Sequence, residues 1–289
     1  MSENYKGIIL AAGKGTRLSP VTLGSSKQLL QIYDKPMIYY PLSILMLSRI
    51  REILIITNPD DQYNFQRLLG DGSEFGISIE YEAQTKPRGI ADAFLVAEEF
   101  IKGSNVCLIL GDNLFHGSGL TEGLINSKKN KGSTIFTIEV DDPERFGVIE
   151  YDDEGKLKEI IEKPQNPKSN KAVTGLYFYD SKVLNFAKKL QPSSRGELEI
   201  TDLNNIYIKL NEMRVQNFGR GFTWLDTGTA DSLLEASNHV KSVQSNSSFM
   251  IGSPHEVAFN NDWITKKDLE LLSNKFPNTY GTYLQKLID

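Results

Sequence analysis

Cysteine is almost absent from this chain: Cys107, within the apolar segment VCLIL, is the single one among 289 residues. It cannot form a disulfide within the chain, and its aliphatic neighbours indicate a small core side chain rather than a nucleophile. Histidine is scarce too, with three residues spread along the sequence. The single cysteine is typical of a protein from a reducing compartment, so we expect a cytoplasmic location.

Long hydrophobic runs and blocks of one charge are also missing. No apolar run approaches membrane-spanning length, and the N-terminal stretch MSENYKG lacks the apolar region of a signal peptide. The net charge is −5, and Lys and Arg form no cluster along the sequence. We therefore expect neither nucleic acid nor a membrane surface as a partner. An anionic ligand would have to be held by locally placed cations.

Short apolar segments alternate with amphipathic ones in the first half of the chain. Their continuous apolar character is typical of strands covered on both faces, as in a parallel sheet. Asn58 and Pro59 predict a helix start, and Gly70 predicts the end of that helix. The alternation predicts an α/β fold. The predicted strands are residues 7–11, 53–57, 77–81 and 106–110, and a helix is predicted at 90–101.

From residue 133 the apolar segments lie closer together, which predicts further strands, some of them antiparallel, that extend or cover the main sheet. Thr201 or Asp202 is the expected N-cap of the second helix in this half. The chain after WLDTGT is predicted to be mostly helical. The predicted helices are residues 181–190, 202–213, 229–245, 265–273 and 279–288.

A glycine-rich turn follows the first predicted strand, in the segment GIILAAGKGTRLSPVTLGSSKQLL. The Walker pattern does not fit it, and the dinucleotide fingerprint fails because Leu18 stands where the third glycine belongs. Gly13 and Gly15 would still let backbone N–H groups approach an anion at the carboxyl end of a buried strand. Arg17 and Lys27 add two cations nearby. The alternative is that both cations are solvated surface charges.

This segment resembles the signature of the sugar nucleotidyltransferases, in which G-x-G-T-R-L is followed ten residues later by lysine. Further segments, in similar order along nearly the whole chain, resemble one branch, the glucose-1-phosphate thymidylyltransferases: YDKPMIYYPLS, LGDN, DPERFGV, IEKP, VTGLYFYD, RGELEITD and WLDTGT. The resemblance implies a Rossmann-like three-layer α/β fold with a mixed, mostly parallel sheet and a helical C-terminal tail. It implies a catalytic core at 1–228, with a nucleotide-binding part (about 1–132) and a sugar-phosphate-binding part (about 133–228), and a helical extension at 229–289.

The implied reaction joins dTTP and glucose 1-phosphate into dTDP-glucose and pyrophosphate, by attack of a sugar-phosphate oxygen on the α-phosphorus. A sugar phosphate is already ionised near neutral pH, so no general base is needed, and positioning and charge stabilisation must carry the catalysis. Arg17 is expected to grip the triphosphate and leaving group, and Lys27 to reach the α- or β-phosphate. Asp112 and Asp226 each follow an apolar run, and we expect both carboxylates to meet at one Mg²⁺.

The resemblance also implies the remaining contacts of the two substrates. The nucleotide is expected to contact Gly13, Gly15, Thr16, Gln84, Gly89 and Asp112. Lys163 and Arg195 are expected to hold the phosphate of the sugar, although without the resemblance Glu162 and Lys163 would be interpreted as an exposed charge pair. The expected sugar contacts are Asn113, Gly147, Glu162 and Tyr177.

Base choice depends on Gln84 and Gly89, in the segment EAQTKPRGIAD. The Gln84 amide both donates and accepts, so it can pair with O4 and N3–H of thymine or uracil, while Gly89 lets a flat base stack against the backbone. A cytosine edge needs the opposite donor pattern at one position, which an amide can meet by flipping, so a pyrimidine base is predicted. Thymine and uracil stay undecided, because one methyl group is worth only about 1–3 kcal/mol. UTP and other sugars, such as N-acetylglucosamine 1-phosphate, are the alternative substrates.

Three positions depart from the family pattern: Ala12 replaces glycine, Arg88 replaces an acidic residue, and His116 replaces tyrosine. Arg88 would add a cation beside the base pocket, and His116 is expected in a loop without a metal role. A dinucleotide-binding oxidoreductase is disfavoured by the missing third glycine. A non-catalytic nucleotide sensor is disfavoured because Arg17, Lys27 and both aspartates are present. The resemblance further implies a homotetramer under feedback by dTDP-rhamnose.

Overall fold

The structure of the protein is a computed structural model, which describes residues 4–289; residues 1–3, the start of the stretch MSENYKG, lie outside the described range. The strands are β1 (Tyr5–Ala11), β2 (Gln31–Ile32), β3 (Lys35–Pro36), β4 (Glu52–Thr57), β5 (Ser78–Ala83), β6 (Asn105–Leu110), β7 (Asn113–His116), β8 (Ser133–Glu139), β9 (Gly147–Tyr151), β10 (Leu157–Glu162), β11 (Lys171–Tyr179), β12 (Met213–Asn217) and β13 (Thr223–Asp226). The α-helices are α1 (Tyr39–Leu47), α2 (Gln62–Leu69), α3 (Asp92–Val96), α4 (Glu98–Ile101), α5 (Leu120–Ser127), α6 (Val183–Ala187), α7 (Ile200–Lys209), α8 (Ala230–Ser245), α9 (Pro254–Asn260), α10 (Lys266–Lys275) and α11 (Thr279–Lys286).

One nine-stranded sheet runs through the molecule in the order β10-β9-β11-β6-β1-β4-β5, with β8 pairing with both β11 and β12. Strands β6, β1, β4 and β5 are mutually parallel, so their carboxyl ends lie along one edge. Strand β11 runs antiparallel to β6 and connects the second half of the chain to the same sheet. Strands β7 and β13 form a separate antiparallel pair. The sheet spans both predicted parts of the core, and their division stays a prediction.

Helical layers cover both faces of the parallel strands. Ile8 and Ile9 of β1 point to opposite faces, as neighbours in a strand must, and both are fully buried. Ile9 belongs to a core cluster with α1 and the tail helices, whereas Ile8 belongs to a cluster with α3, α6 and α7. Cys107 of β6 is buried in the first cluster, and burial raises the pKa of its thiol. The predicted three-layer α/β class is confirmed.

Several element boundaries differ from the sequence prediction. The helix predicted at 90–101 is two short helices, α3 and α4, which meet at Ala97. The predicted helix 202–213 begins earlier, at Ile200, and ends at Lys209, because the next residues turn and continue as β12 beside β8. Asn58 and Pro59 introduce a 3-10 turn before α2, and Gly70 ends α2 with a φ of +57°.

The tail beyond Thr229 is helical, as predicted, and packs on α1. Helices α8 and α10 each begin with a capping box, in which Thr229 pairs with Ser232 and Thr265 pairs with Asp268. Helix α9 was not predicted; its His255 is fully buried among aromatic rings. Among residues 4–289, no helix combines the length and apolar character needed to cross a membrane.

Candidate active site

The glycine-rich turn leaves β1 at the edge where the parallel strands end. Gly15 has a φ of +60° and precedes a 3-10 turn at Thr16–Leu18. A Cβ on Gly15 would lie 2.9 Å from Cβ of Lys27 and 2.9 Å from Cγ2 of Thr22, so glycine allows the next loop to pack closely. Gly13 lies in the same turn, and a Cβ added there would lie 3.9 Å from Nε2 of Gln28. The turn therefore brings the Lys27 loop against the end of β1.

Lys27 is a buried cation, with only 4% of its surface exposed. Its Nζ lies 2.5 Å from Oδ2 of Asp112, which directly follows Gly111 at the end of β6. Burying an ammonium group is costly unless an opposite charge accompanies it, so this ion pair explains how the cation is tolerated there. This ion pair thus connects Lys27 and Asp112, which are 85 positions apart in the sequence, at the edge of the sheet.

Asp226 lies beside Asp112 because β13 pairs with β7 in a register that places Asp226 opposite Asn113. Burial raises the pKa of Asp226, and the Asp112 carboxylate raises it further, against the opposing charges of Lys27, Arg17 and Arg145. The structure therefore brings the two predicted metal carboxylates together, with cations around them.

Arg17 approaches the same point from the first loop. The Cβ position of Gly228, two residues after Asp226, lies only 3.0 Å from Nη2 of Arg17. A side chain at position 228 would push the guanidinium away, so glycine keeps it over the WLDTGT turn. The Arg17 side chain is exposed, unlike Lys27, and can reach a ligand in the cleft.

Asn113 connects the carboxylates to the cavity beside them. Its Oδ1 accepts hydrogen bonds from the Trp224 indole Nε1 at 2.7 Å and from the Gly175 backbone N–H at 3.1 Å. Its Nδ2 donates to Oδ1 of Asp112 at 3.1 Å. Most of its bonding capacity is thus used within the protein, and the side chain holds Asp112 in place besides lining the cavity.

A cavity of about 260 Å³ opens beside Asp112 and Asp226. It contains Arg17 together with five of the six residues predicted for the sugar phosphate, namely Asn113, Gly147, Glu162, Lys163 and Tyr177. It is also lined by residues that sequence reasoning did not single out as ligand contacts: Ile90, Arg145, Phe146, Gly175, Thr201, Asn204 and Trp224. Arg145, Phe146 and Trp224 stand in the segments DPERFGV and WLDTGT, so those motifs were the available signal.

Glu162 and Thr201 form the polar wall of this cavity. Oγ1 of Thr201 donates to Oε2 of Glu162 at 2.7 Å. The prediction that Thr201 or Asp202 caps α7 is therefore wrong: α7 begins at Ile200 after Glu199, and Thr201 serves the cavity instead. At Gly147, an added Cβ would make ordinary contacts of 3.4–3.5 Å with Ile160, Thr201 and Glu162. The protein packing alone thus does not demand glycine there.

Two further residues that line the cavity are Lys163, which has a strained backbone, and Tyr177, which has a protonated hydroxyl. Lys163 has a φ of +46°, a strained conformation for a residue with a side chain, and such strain often accompanies ligand sites. Its Nζ lies 3.7 Å from Oε1 of Glu162. Burial, and to a lesser extent Glu162, raise the pKa of the Tyr177 hydroxyl, which therefore stays protonated and can donate a hydrogen bond.

Arg195, the sixth predicted sugar-phosphate residue, does not line the cavity but approaches Glu162, which does. Its guanidinium makes a two-point contact with Glu199, at 3.1 and 2.8 Å. Its Nη2 also lies 3.5 Å from Oε1 of Glu162 and 3.4 Å from Oε2 of Glu197. A cation surrounded by three carboxylates is held firmly, and an incoming phosphate would have to compete with them.

Gln84 directly follows β5, so it lies at the same edge of the sheet as the first loop. Its Nε2 donates to Oδ2 of the buried Asp92 at 2.8 Å, and Nη2 of Arg88 lies 2.8 Å from Oδ1 of Asp92. The charge of Arg88 is therefore balanced by Asp92, a residue that sequence reasoning did not single out.

Gly89 has a packing role in the structure. The backbone of Leu198 clamps the surrounding loop, since its N–H donates to the Arg88 carbonyl at 2.7 Å and its carbonyl accepts from Ala91 N–H at 3.1 Å. With a φ of +95°, a Cβ on Gly89 would lie 2.5 Å from that Leu198 oxygen. Glycine is thus required by this clamp, and stacking of a base on Gly89 stays a prediction.

His116 lies in strand β7, so the prediction of a loop position is wrong. Its ring packs against the rings of His239 and Phe249, at centroid distances of 5.5 and 6.0 Å. Burial lowers the pKa of His116, and the neighbouring His239 lowers it further. Within residues 4–289, no group of three or more His, Cys, Asp or Glu side chains is placed to hold a metal.

Comparison with known proteins gives a consistent result. The model of the nucleotidyl transferase family matches residues 6–243. The glucose-1-phosphate thymidylyltransferase of Neisseria gonorrhoeae is 56% identical over 285 residues, which are 98% of this chain and 99% of that protein. A solved structure from Bacillus anthracis, described as a glucose-1-phosphate thymidylyltransferase in complex with sucrose, has 40% identity and a TM-score of 0.77, covering 87% of this chain and 99% of its own. A UDP-glucose pyrophosphorylase with bound UDP-glucose has 25% identity and a TM-score of 0.73, covering 84% and 100%.

Proposed function

This chain belongs to the nucleotidyl transferase family, and we propose that it transfers the thymidylyl group of dTTP to glucose 1-phosphate, giving dTDP-glucose and pyrophosphate. The observation that carries the proposal is the meeting of Lys27, Asp112, Asp226 and Arg17 beside a cavity lined by polar and charged side chains. Cations and carboxylates from distant parts of the chain surround one point, which suits a polyphosphate. The Neisseria gonorrhoeae relative, matched over 99% of its length, supports the thymidylyl donor.

The chemistry is one displacement at phosphorus. An oxygen of the glucose 1-phosphate attacks the α-phosphorus, the bond from that phosphorus to the oxygen leading to the β-phosphate breaks, and pyrophosphate leaves with the electron pair. The attacking oxygen is already ionised, so this chain supplies no proton acceptor. Arg17 grips the leaving group with a forked guanidinium, which becomes more favourable as negative charge moves onto it. Lys27 keeps Asp112 in place and adds positive charge beneath the phosphates.

We propose Asp112 and Asp226 as the ligands of Mg²⁺. Two carboxylates side by side, one with its pKa raised by burial and by the other, form a pair that a divalent cation would stabilise. Mg²⁺ takes one or two carboxylates and completes its shell with phosphate oxygens and water. When bound, it supplies neutralisation of the developing charge. Removal of metal with a chelator should abolish turnover, and added Mg²⁺ should restore it.

For the sugar phosphate, we propose that Glu162 and Asn113 bond the hydroxyl groups, with Tyr177 as a neutral donor. Lys163 in the cavity lining and Arg195 beside the cavity would hold the phosphate, with Glu199 fixing the Arg195 guanidinium. The raised pKa of Tyr177 supports the donor role. Gln84 would read the base, and Gly13, Gly15 and Thr16 would face the nucleotide phosphates.

The test is release of pyrophosphate from dTTP or UTP with glucose 1-phosphate or N-acetylglucosamine 1-phosphate. We expect dTTP with glucose 1-phosphate to have the highest kcat/KM. Arg17→Ala should lower kcat by a factor of about 100 to 1000 with only modest loss of nucleotide affinity. The control is Arg67→Ala, an exposed arginine on α2, which should leave kcat unchanged. Absence of pyrophosphate from every pair would refute the proposal.

We also propose a cytoplasmic homotetramer, under feedback by dTDP-rhamnose. The assembly and its feedback are carried over from the resemblance to the glucose-1-phosphate thymidylyltransferases, and the single buried thiol of Cys107 suits a reducing compartment. Sedimentation of the intact protein tests the assembly. Inhibition of pyrophosphate release by dTDP-rhamnose tests the feedback.

A further inference from the structure

Asp92 is a fully buried carboxylate that the reaction itself does not use. It lies at the start of α3, two residues after Ile90, which lines the cavity. A carboxylate in such a place is tolerated only with partners, and Asp92 has two. Oδ2 accepts a hydrogen bond from Gln84 Nε2 at 2.8 Å. Oδ1 forms an ion pair with Arg88 at 2.8 Å, in a geometry that is not an aligned hydrogen bond.

The ion pair of Asp92 and Arg88 determines which end of the Gln84 side-chain amide faces Asp92. Arg88 presents only donors to Oδ1 of Asp92, and Oδ2 accepts from Gln84, so both oxygens of the carboxylate serve as acceptors. The amide nitrogen must therefore face Asp92. Flipping the amide would place its oxygen against a carboxylate oxygen, with two acceptors in contact. The contact with Asp92 uses one amide hydrogen, which leaves Oε1 and the second N–H for a ligand.

The positions of these three residues are themselves firmly set. The Gln84 backbone N–H donates to the Thr57 carbonyl at 2.9 Å, which fixes the exit from β5. The loop that carries Arg88 is held by the Leu198 clamp described above. Arg88 has a 58% exposed side chain, so its charge lies at the surface while Asp92 lies beneath it. The amide orientation is thus supported from a rigid frame.

We propose that Asp92 is a specificity-determining residue: it locks the Gln84 amide so that Oε1 accepts from a base that carries N3–H, and thereby admits thymine or uracil and rejects cytosine. This inference rests on the proposed function, in which Gln84 reads the base. In thymine and uracil, N3–H stands beside the acceptor O4, which matches Oε1 and the free amide N–H. In cytosine, N3 accepts and N4 donates, so both contacts would be repulsive unless the amide flipped.

The experiment compares kcat/KM for dTTP and dCTP, at saturating glucose 1-phosphate, in the wild-type protein and in Asp92→Asn. The wild type should prefer dTTP by about 1000-fold or more, the scale that a buried hydrogen-bonding site achieves. Asparagine can offer either a donor or an acceptor to Gln84, so the amide becomes free to flip. We expect the dTTP/dCTP ratio to fall at least about tenfold, with KM for glucose 1-phosphate unchanged.

The matched control is Glu150→Gln, which also converts a buried carboxylate paired with an exposed cation, Lys168 at 3.0 Å, into an amide. It should leave the dTTP/dCTP ratio unchanged. Arg88→Gln is a second test that spares the core, because the Arg88 side chain is largely exposed. Loss of its charge weakens the lock, so the ratio should fall in the same direction, by about threefold.

The outcomes separate this inference from the proposed function. If the wild type releases no pyrophosphate with any nucleotide, the proposed function fails and the inference with it. If the wild type is active with dTTP but accepts dCTP equally well, only the inference is overturned. It is likewise overturned if Asp92→Asn and Arg88→Gln both keep the wild-type ratio within a factor of two. A reduced ratio in both variants, with Glu150→Gln unchanged, supports it.

Discussion

The buried ion pair of Lys27 and Asp112 gives the sharpest test of the active site. Lys27→Met keeps most of the volume of the side chain and removes its charge. We expect kcat to fall by a factor of about 100 to 1000, which corresponds to about 2.7–4 kcal/mol of lost transition-state stabilisation, as for other preorganised charge donors. Steady-state release of pyrophosphate from dTTP and glucose 1-phosphate at saturating Mg²⁺ measures this.

The same substitution should lower the free energy of unfolding. Removing one partner of a fully buried ion pair costs about 3–5 kcal/mol, but Asp112 keeps 23% of its side chain exposed, and solvent screens the charge left behind. We therefore expect about 1–3 kcal/mol, measured by urea unfolding. Activity is compared at a temperature where both proteins are folded.

Lys188→Met is the matched control for this prediction. Lys188 pairs with Glu98 at the same distance, 2.5 Å, but both side chains are more than 40% exposed. Exposed pairs contribute about 0–1 kcal/mol, so this variant should keep both kcat and stability. If Lys27→Met kept kcat within a factor of ten of the wild type, the electrostatic role assigned to Lys27 would be wrong. A rise in the Mg²⁺ requirement would show that Lys27 acts through Asp112.

Three further predictions concern other parts of the chain. Burial and Asp112 raise the pKa of Asp226, so the stability that its protonated form contributes is lost as pH rises through that raised value. At neutral pH with a chelator present, the free energy of unfolding of Asp226→Asn should exceed that of the wild type by about 1 kcal/mol, yet this variant should lose at least about 99% of kcat. Burial lowers the pKa of His255 to about 4, so wild-type unfolding free energy should fall by about 3 kcal/mol as pH drops from 6.5 to 4, and His255→Phe should flatten this slope in urea titrations. A Cβ on Gly281 would lie 1.9 Å from the Phe276 carbonyl oxygen, so Gly281→Ala should cost about 1–3 kcal/mol and lower the calorimetric Tm; an unchanged Tm would contradict the tight packing of α10 on α11.

Regular elements of the fold could be predicted from the sequence because their signals are local. Continuous apolar runs predicted the central parallel strands, and Thr229 marked the start of the tail helices. A single helix was predicted for residues 90–101 because the apolar residues keep helical spacing throughout, whereas the structure has two helices that meet at Ala97. Strand β12 was missed because its pairing with β8 is formed across 80 positions of sequence.

The site could be predicted only in part, for the same reason. The motifs named Arg17, Lys27, Asp112 and Asp226, and the structure brings these residues together, but their roles stay predictions. Contacts between side chains could not be predicted from the sequence, because they join distant segments and leave no local signal in either of them. The bond from Trp224 to Asn113 spans 111 positions, and Asp92 looked like an ordinary residue at the start of a helix.

The Leu198 clamp has a consequence for how the two substrates sense each other. It ties the loop of Arg88, near the proposed base contact Gln84, to Leu198. The next residue, Glu199, binds the guanidinium of Arg195, the proposed contact of the sugar phosphate. A shift of either loop must be passed to the other, so we expect the two affinities to be linked. Thermodynamic reciprocity then requires that glucose 1-phosphate change dTTP affinity by the same factor as dTTP changes glucose 1-phosphate affinity, which calorimetric titrations without metal can measure. A factor of one would mean that the loops move independently.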